Sequence, residues 1–111
     1  MTKRTMQEAT FLILTALAAG SRHGYGIIRD VAAISAGRVQ LRAGTLYTAL
    51  DRLRLDALVT VDREEIVGGR LRRYYRLTPK GAAELAAEAA RFHANAATAL
   101  ARLGPVASGS G

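Results

Sequence analysis

A Gly-Gly dipeptide at positions 68 and 69 divides two stretches whose residues alternate in polarity, a pattern with few structural solutions. Leading in, Leu58 to Ile66 sets Val59 and Val61 between polar neighbours. Leading out, Arg70 to Leu77 puts Leu71, Tyr75 and Leu77 on one strand face and Arg70, Arg72, Tyr74 and Arg76 on the other. The two glycines turn the chain tightly, so the pair is expected to form an antiparallel hairpin.

Upstream, three segments carry helical character. Met6 to Ala19 combines strong helix formers with apolar residues nearly all round, which predicts a buried first helix stopped at Gly20. Ser21-Arg22-His23 reads as a short turn, with Ser21 or His23 placed to cap a second helix from about Gly24 to Ser35. Tyr25, Ile28, Ala32 and Ile34 are expected to face inward on it, and Gly37 to end it. Gly24 and Gly26 are poor helix residues, for which close backbone packing is the expected reason. Val39-Gln40-Leu41 has room for a very short strand. A third helix runs from Ala43 or Gly44 to Asp56. Its Leu46, Leu50, Leu53 and Ala57 form an apolar stripe, and Thr45, Thr48, Asp51, Arg52 and Leu55 lie opposite.

Downstream of the hairpin, Thr78-Pro79 is a helix start, with Thr as cap and Pro at the first helical position. In the long helix that follows, Leu85, Ala89, Phe92, Ala96, Ala99 and Leu103 recur at spacings of 4, 3, 4, 3 and 4, a heptad seam. Exposed apolar stripes need a partner, and a homodimer supplies one with two-fold symmetry. The expected interface therefore holds Leu85, Ala89, Phe92, Ala96 and Leu103. Because the seam is rich in Ala, the first helix is expected to share in it through Phe11, Leu12 or Leu14. Gly104-Pro105 stops the helix before a flexible tail. The resulting fold class is mainly α with a β-hairpin wing. It divides into a winged helix-turn-helix unit at 1–78, a dimerisation helix at 79–103 and a tail at 104–111.

Composition narrows the function. At 111 residues, half of them apolar, the chain has the size of one ordered domain. It contains no cysteine, hence no disulfide frame and no thiolate chemistry. No signal peptide or membrane span is evident, which points to a soluble, cytoplasmic protein. Catalysis is not expected: His23 and His93 lie on different elements, and no Ser-His-acid grouping, phosphate loop or metal-ligand spacing is present. Neither a cofactor nor a metal is expected. Glu64 and Glu65 are adjacent on a strand and so point to opposite faces.

Sixteen Lys and Arg against nine Asp and Glu give a formal charge of +7. A general Arg bias is one source of that excess and attraction to a polyanion the other. The crowding of Arg70, Arg72, Arg73 and Arg76 into seven residues favours the second. A major groove admits one α-helix, and base edges need donors and acceptors near its N-terminus, where Thr45 and Thr48 stand with Arg52 a turn later. The wing tip is narrow enough to approach the minor groove or backbone, with Arg70 and Arg72 reaching phosphates and Tyr74 adding a hydroxyl. Double-stranded DNA is therefore the expected partner. Several of these residues have a second reading. Arg52 is within reach of Asp51 and Asp56, and His23 either meets a phosphate or caps its helix. Tyr47 either offers its hydroxyl to a phosphate or packs. Arg73 either covers the core edge or pairs with Glu64 or Glu65, while Tyr75 is expected in the core. The rival function is a winged module that binds another protein through seam and wing.

HGYGIIRDV (23–31), AGTLYTALDRL (43–53) and RRYYRLTPKG (72–81) resemble, in order and spacing, the three characteristic stretches of PadR-type transcriptional regulators. The resemblance covers Phe11 to Glu88. It implies a homodimeric repressor of the compact subgroup, with Thr45, Tyr47 and Thr48 on the helix that enters the groove. Arg72, Arg73, Tyr74 and Tyr75 fall on the family's Arg-rich strand. It also implies a small aromatic or amphipathic effector near the dimer interface. The chain has no Trp to line such a cavity, and Phe11 and Phe92 either line it or close it.

Overall fold

The computed structural model describes residues 6–105. The order is α1 (Glu8–Ala18), β1 (Arg22–His23), α2 (Gly24–Ile34), α3 (Ala43–Leu55), β2 (Val59–Val67), β3 (Arg70–Leu77) and α4 (Pro79–Leu103). The fold is a winged helix, mainly α with a β wing. Helix α1 buries Leu12, Ile13, Leu14, Ala16 and Leu17 at the centre of the core. Ile27 and Val31 of α2, Leu46, Leu50 and Leu53 of α3, Leu58, Val59 and Tyr75 of the sheet, and Leu85 of α4 complete it.

The sheet has the order β1-β3-β2, all antiparallel. The two-residue strand β1 was expected as a turn; it pairs Arg22 with Tyr75 and His23 with Tyr74, a partnership formed across some fifty residues of chain. No strand forms at 39–41. Asp62 sits in a β-bulge, because Val61 faces Tyr75 and Arg63 already faces Tyr74.

Helix α2 is rotated from its expected phase. Gly24, Ile27 and Val31 are buried, whereas Tyr25 is 65% exposed and Ile34 is also outside. Helices α2 and α3 both end with an Ala in the left-handed conformation, Ala36 (φ 54) and Ala57 (φ 62). In each case the next amide reaches back to close the turn: Gly37 N–H to Ala32 O at 2.7 Å and Leu58 N–H to Leu53 O at 2.9 Å. Ala57, expected on the buried stripe of α3, thus lies exposed in this turn, and Leu58 enters the core instead.

Thr78 caps α4, its Oγ1 accepting from Gly81 N–H at 2.9 Å. Gly81 lies so close to Leu58 that a Cβ would stand 2.0 Å from the Leu58 carbonyl oxygen. Glu88 is buried where α4 meets the start of α1, accepting from the Met6 amide at 3.2 Å and from Arg91. Beyond it, every residue from Ala89 to Leu103 is exposed. Leu85, expected at a dimer seam, belongs to the core of this chain, as do Leu12 and Leu14. Phe11 packs on Phe92 with ring centroids 4.9 Å apart, filling the space between α1 and α4. Ala96 and Leu103 lie on the outward part of α4. The expected tail beyond Pro105 lies outside the described residues.

Candidate nucleic-acid interface

Helix α3 presents one polar face to solvent. Its core stripe fixes the rotation, so Thr45, Thr48 and Arg52 point outward, all exposed. Arg52 Nε stands 3.7 Å from Asp56 Oδ2, one helical turn on; both side chains are more than half exposed, so water competes strongly with this pair.

Tyr47 bridges α3 and α2. Its ring lies against Gly24, where a Cβ would meet Oη at 2.2 Å and Cζ at 2.7 Å, yet the residue remains 45% exposed. The hydroxyl end of the ring packs on Gly24 while the residue as a whole stays partly exposed. Gly26 plays the same part for His23, whose Nδ1 lies 3.1 Å from the position of an added Cβ. Both glycines leave room for a neighbouring ring, the close packing expected of them.

The His23 side chain makes no capping hydrogen bond. Its ring lies beside Tyr74, centroids 5.4 Å apart, and Arg63 covers Tyr74 with its guanidinium carbon 3.9 Å from the ring centroid. Partial burial, and then the nearby Arg72, hold the imidazole below its ordinary pKa.

The wing sorts its arginines. Arg73 Nε donates to Glu64 at 2.8 Å and Arg63 Nε to Glu65 at 2.9 Å, while Arg76 lies 3.3 Å from Asp62. Asp62 also accepts from Ser21 Oγ at 2.7 Å, which ties the bulge to the loop before β1. Those contacts hold the Asp62 carboxyl below its usual range, Ser21 first and Arg63 after it. Glu65 is held below the usual carboxylate range chiefly by Arg63, with a smaller effect from the nearby Tyr74 hydroxyl. Arg70 and Arg72 form no ion pair with a described residue.

A cleft of about 260 Å³ is lined by His23, Gly24, Tyr25, Tyr47, Arg70 and Arg72 among others, whereas Thr45, Thr48 and Arg52 line a separate concavity of about 890 Å³ with Met6, Gln7 and Thr10. Strand β1 covers β3 only at Tyr74 and Tyr75, so the β3 edge beyond them borders the cleft. Tyr25, expected in the core, is instead one of its walls. Adjacent apolar residues at Ile27 and Ile28 hide the true helix phase, and only the seat that Gly24 makes for Tyr47 reveals it.

A family model of PadR-like transcriptional regulators matches residues 13–87, about two thirds of the chain. The chain belongs to the PadR-like family of transcriptional regulators. The family is one of regulators and not of enzymes, in agreement with the sequence reading. The transcriptional regulator Rv3488 of Mycobacterium tuberculosis is 42% identical over 65 residues, which cover 59% of this chain and 47% of that protein. The chain thus aligns with about half the length of this curated relative. Among solved structures, a PadR family regulator of Clostridium difficile aligns with a TM-score of 0.73 at 24% identity, covering 88% of this chain and 100% of that one. A PadR-like factor of Bacteroides fragilis gives 0.69 at 29% identity, with coverages of 81% and 84%. Bacillus subtilis PadR, solved in complex with operator DNA, gives 0.63 at 25% identity and covers 71% of this chain and 45% of its own. No helix among the described residues is long and apolar enough to cross a membrane.

Proposed function

We propose that this PadR-like regulator is a cytoplasmic, homodimeric repressor that binds a palindromic site on double-stranded DNA. The observation that carries the reading is the shared cleft: Tyr47 of α3 and Arg70 and Arg72 of the wing border one concavity, which supports a helix and a wing that meet the same duplex, with Thr45, Thr48 and Arg52 exposed on the neighbouring flank of α3. The operator complex of Bacillus subtilis PadR supports it by analogy. Thr45, Thr48 and Arg52 read base edges in the major groove, Arg52 exchanging its weak partner Asp56 for a base or phosphate. Tyr47, Tyr25, His23, Arg70 and Arg72 hold the backbone. Tyr74 serves chiefly as the ring that keeps His23 and Arg63 in place.

Residues 1–78 form the DNA-binding unit and 79–103 the dimerisation helix. Along the latter, Ala89, Phe92, Ala96 and Leu103 face the partner, with Phe11 joining through Phe92. Two recognition helices then stand roughly 34 Å apart on successive turns of one groove face. A small aromatic or amphipathic effector that releases the DNA would have to part Phe11 from Phe92, whose rings already pack together between α1 and α4.

The test is selection of duplexes from a random pool by the purified protein, followed by affinity measurements over a salt series. The selected site is expected to be palindromic and the affinity steeply salt-dependent. In Arg70→Ala/Arg72→Ala the slope of log affinity against log salt falls by about 0.9 for each lost phosphate contact. No enrichment from the pool, or an unchanged slope in the double variant, overturns the assignment.

A further inference from the structure

We propose that the apolar tip of the wing, Ile66 paired with Leu71, packs against the deoxyribose walls of the minor groove and supplies a part of the DNA affinity that salt does not screen. The inference rests on the DNA-binding reading above and adds a second kind of contact to it. Ile66 and Leu71 are register partners on β2 and β3 and are 71% and 57% exposed. They share the sheet face that carries Val61 and Tyr75 inward, but they lie beyond the Glu64–Arg73 ion pair, where the core has ended. Val67, opposite Arg70, adds apolar surface on the other face. Gly68 and Gly69 (φ 58 and 76) have open space around them and keep the tip narrow.

A cross-strand aliphatic pair at the end of an arm steadies the hairpin by at most about 1 kcal/mol, and most of its apolar surface is left to be buried against a partner. Arg70 and Arg72 specify what that partner carries. Their side chains leave β3 on the face opposite Leu71, yet Leu71 and Val67 line the same cleft as these two cations and Tyr47, so charge and apolar surface meet at its rim. The occupant must therefore present CH surface bordered by closely spaced anions. Sugar walls edged by phosphates do so, and the minor groove, about 6 Å wide, suits a tip without side chains at its turn. A second copy of the wing does not, because its own Arg70 and Arg72 would face these.

The test uses the duplex that the wild-type protein selects, with Ile66→Ser/Leu71→Ser compared against Arg70→Ala/Arg72→Ala. The apolar variant is expected to bind about tenfold more weakly with an unchanged salt slope, whereas the Arg variant loses slope. The unfolding midpoint of the apolar variant stays within about 5 °C of wild type, since neither residue belongs to the core and only their cross-strand contact is lost. Ile66→Val/Leu71→Ile keeps wild-type affinity. Binding within twofold of wild type in the Ser variant, or a loss accompanied by a shallower slope, overturns the proposal while leaving the DNA-binding assignment standing. Failure of the wild-type protein to select any duplex overturns both.

Discussion

Gly24→Ala tests the contact on which the geometry of the cleft depends. The new Cβ would stand 2.2 Å from Tyr47 Oη, 2.7 Å from Cζ and 3.3 Å from Cε1. Ordinary van der Waals separation requires the ring to retreat by roughly 1 Å. Because the phenol is half exposed, the ring swings outward before the buried α2 backbone moves. Overpacking of this kind costs about 1–3 kcal/mol. Replacing a helical Gly by Ala returns at most about 1 kcal/mol, and less in the first turn, where Gly24 lies. The net expectation is a loss of about 1 kcal/mol, or roughly 4–8 °C in the unfolding midpoint of a domain this size. In a Tyr47→Ala background the obstruction is gone, and Gly24→Ala becomes neutral or mildly stabilising. Tyr47→Phe is intermediate, since Cζ remains. Urea unfolding of the four proteins of the cycle, at one fixed concentration because the proposed self-association would link stability to concentration, measures the coupling. Equal cost of Gly24→Ala in both backgrounds, within about 0.5 kcal/mol, would refute the reasoning.

Further expectations follow from the same structure. Gly81→Ala places a Cβ 2.0 Å from a backbone carbonyl that already accepts from Thr78 N–H, so neither side yields; a loss above about 3 kcal/mol is expected, and a midpoint near wild type would show the contact to be looser. Ala57→Gly relieves a left-handed Ala and raises stability by up to about 1 kcal/mol in denaturant titration; a loss would mean that chain entropy outweighs the strain. Thr78→Ala removes the α4 cap and costs about 0.5–2 kcal/mol, read by thermal unfolding, with an unchanged midpoint counting against the cap. His23 carries two opposite pH effects. Its folded pKa lies below the unfolded value of 6.5, so its contribution to stability is present above that pH and is lost as pH falls towards the folded value. A phosphate beside it raises the pKa, so DNA binding takes up a proton and tightens from pH 8 to pH 6. His23→Gln abolishes that trend, and a wild-type affinity flat with pH removes His23 from the backbone contacts.

Much of this architecture was legible because its signals are local. The Leu46, Leu50, Leu53 stripe, the Gly68-Gly69 hairpin and the Thr78-Pro79 start each encode an element within one short window. What escaped depends on distant partners. Strand β1 is two residues long and exists only because Tyr74 and Tyr75 return beside it. The phase of α2 turns on whether Ile27 or Ile28 faces the core, and pattern alone treats them alike. Leu85 satisfies a heptad seam equally well from inside its own subunit. Within the cleft, residue type and spacing pointed to Tyr47, Arg70 and Arg72, whereas Tyr25 became visible only once the helix was correctly rotated.

The pairing within the wing bears on how such a protein searches a chromosome. Between Val59 and Leu77 the hairpin carries five arginines and three carboxylates, and each carboxylate is engaged by Arg63, Arg73 or Arg76. Its charge toward an arbitrary stretch of duplex is thus nearer two units than five. Sequence-independent affinity scales with the phosphates neutralised, so internal pairing lightens the grip on the many wrong positions and leaves the protein freer to move on. A wing with the same five arginines and no acids would hold DNA harder and dwell longer at sites that mean nothing.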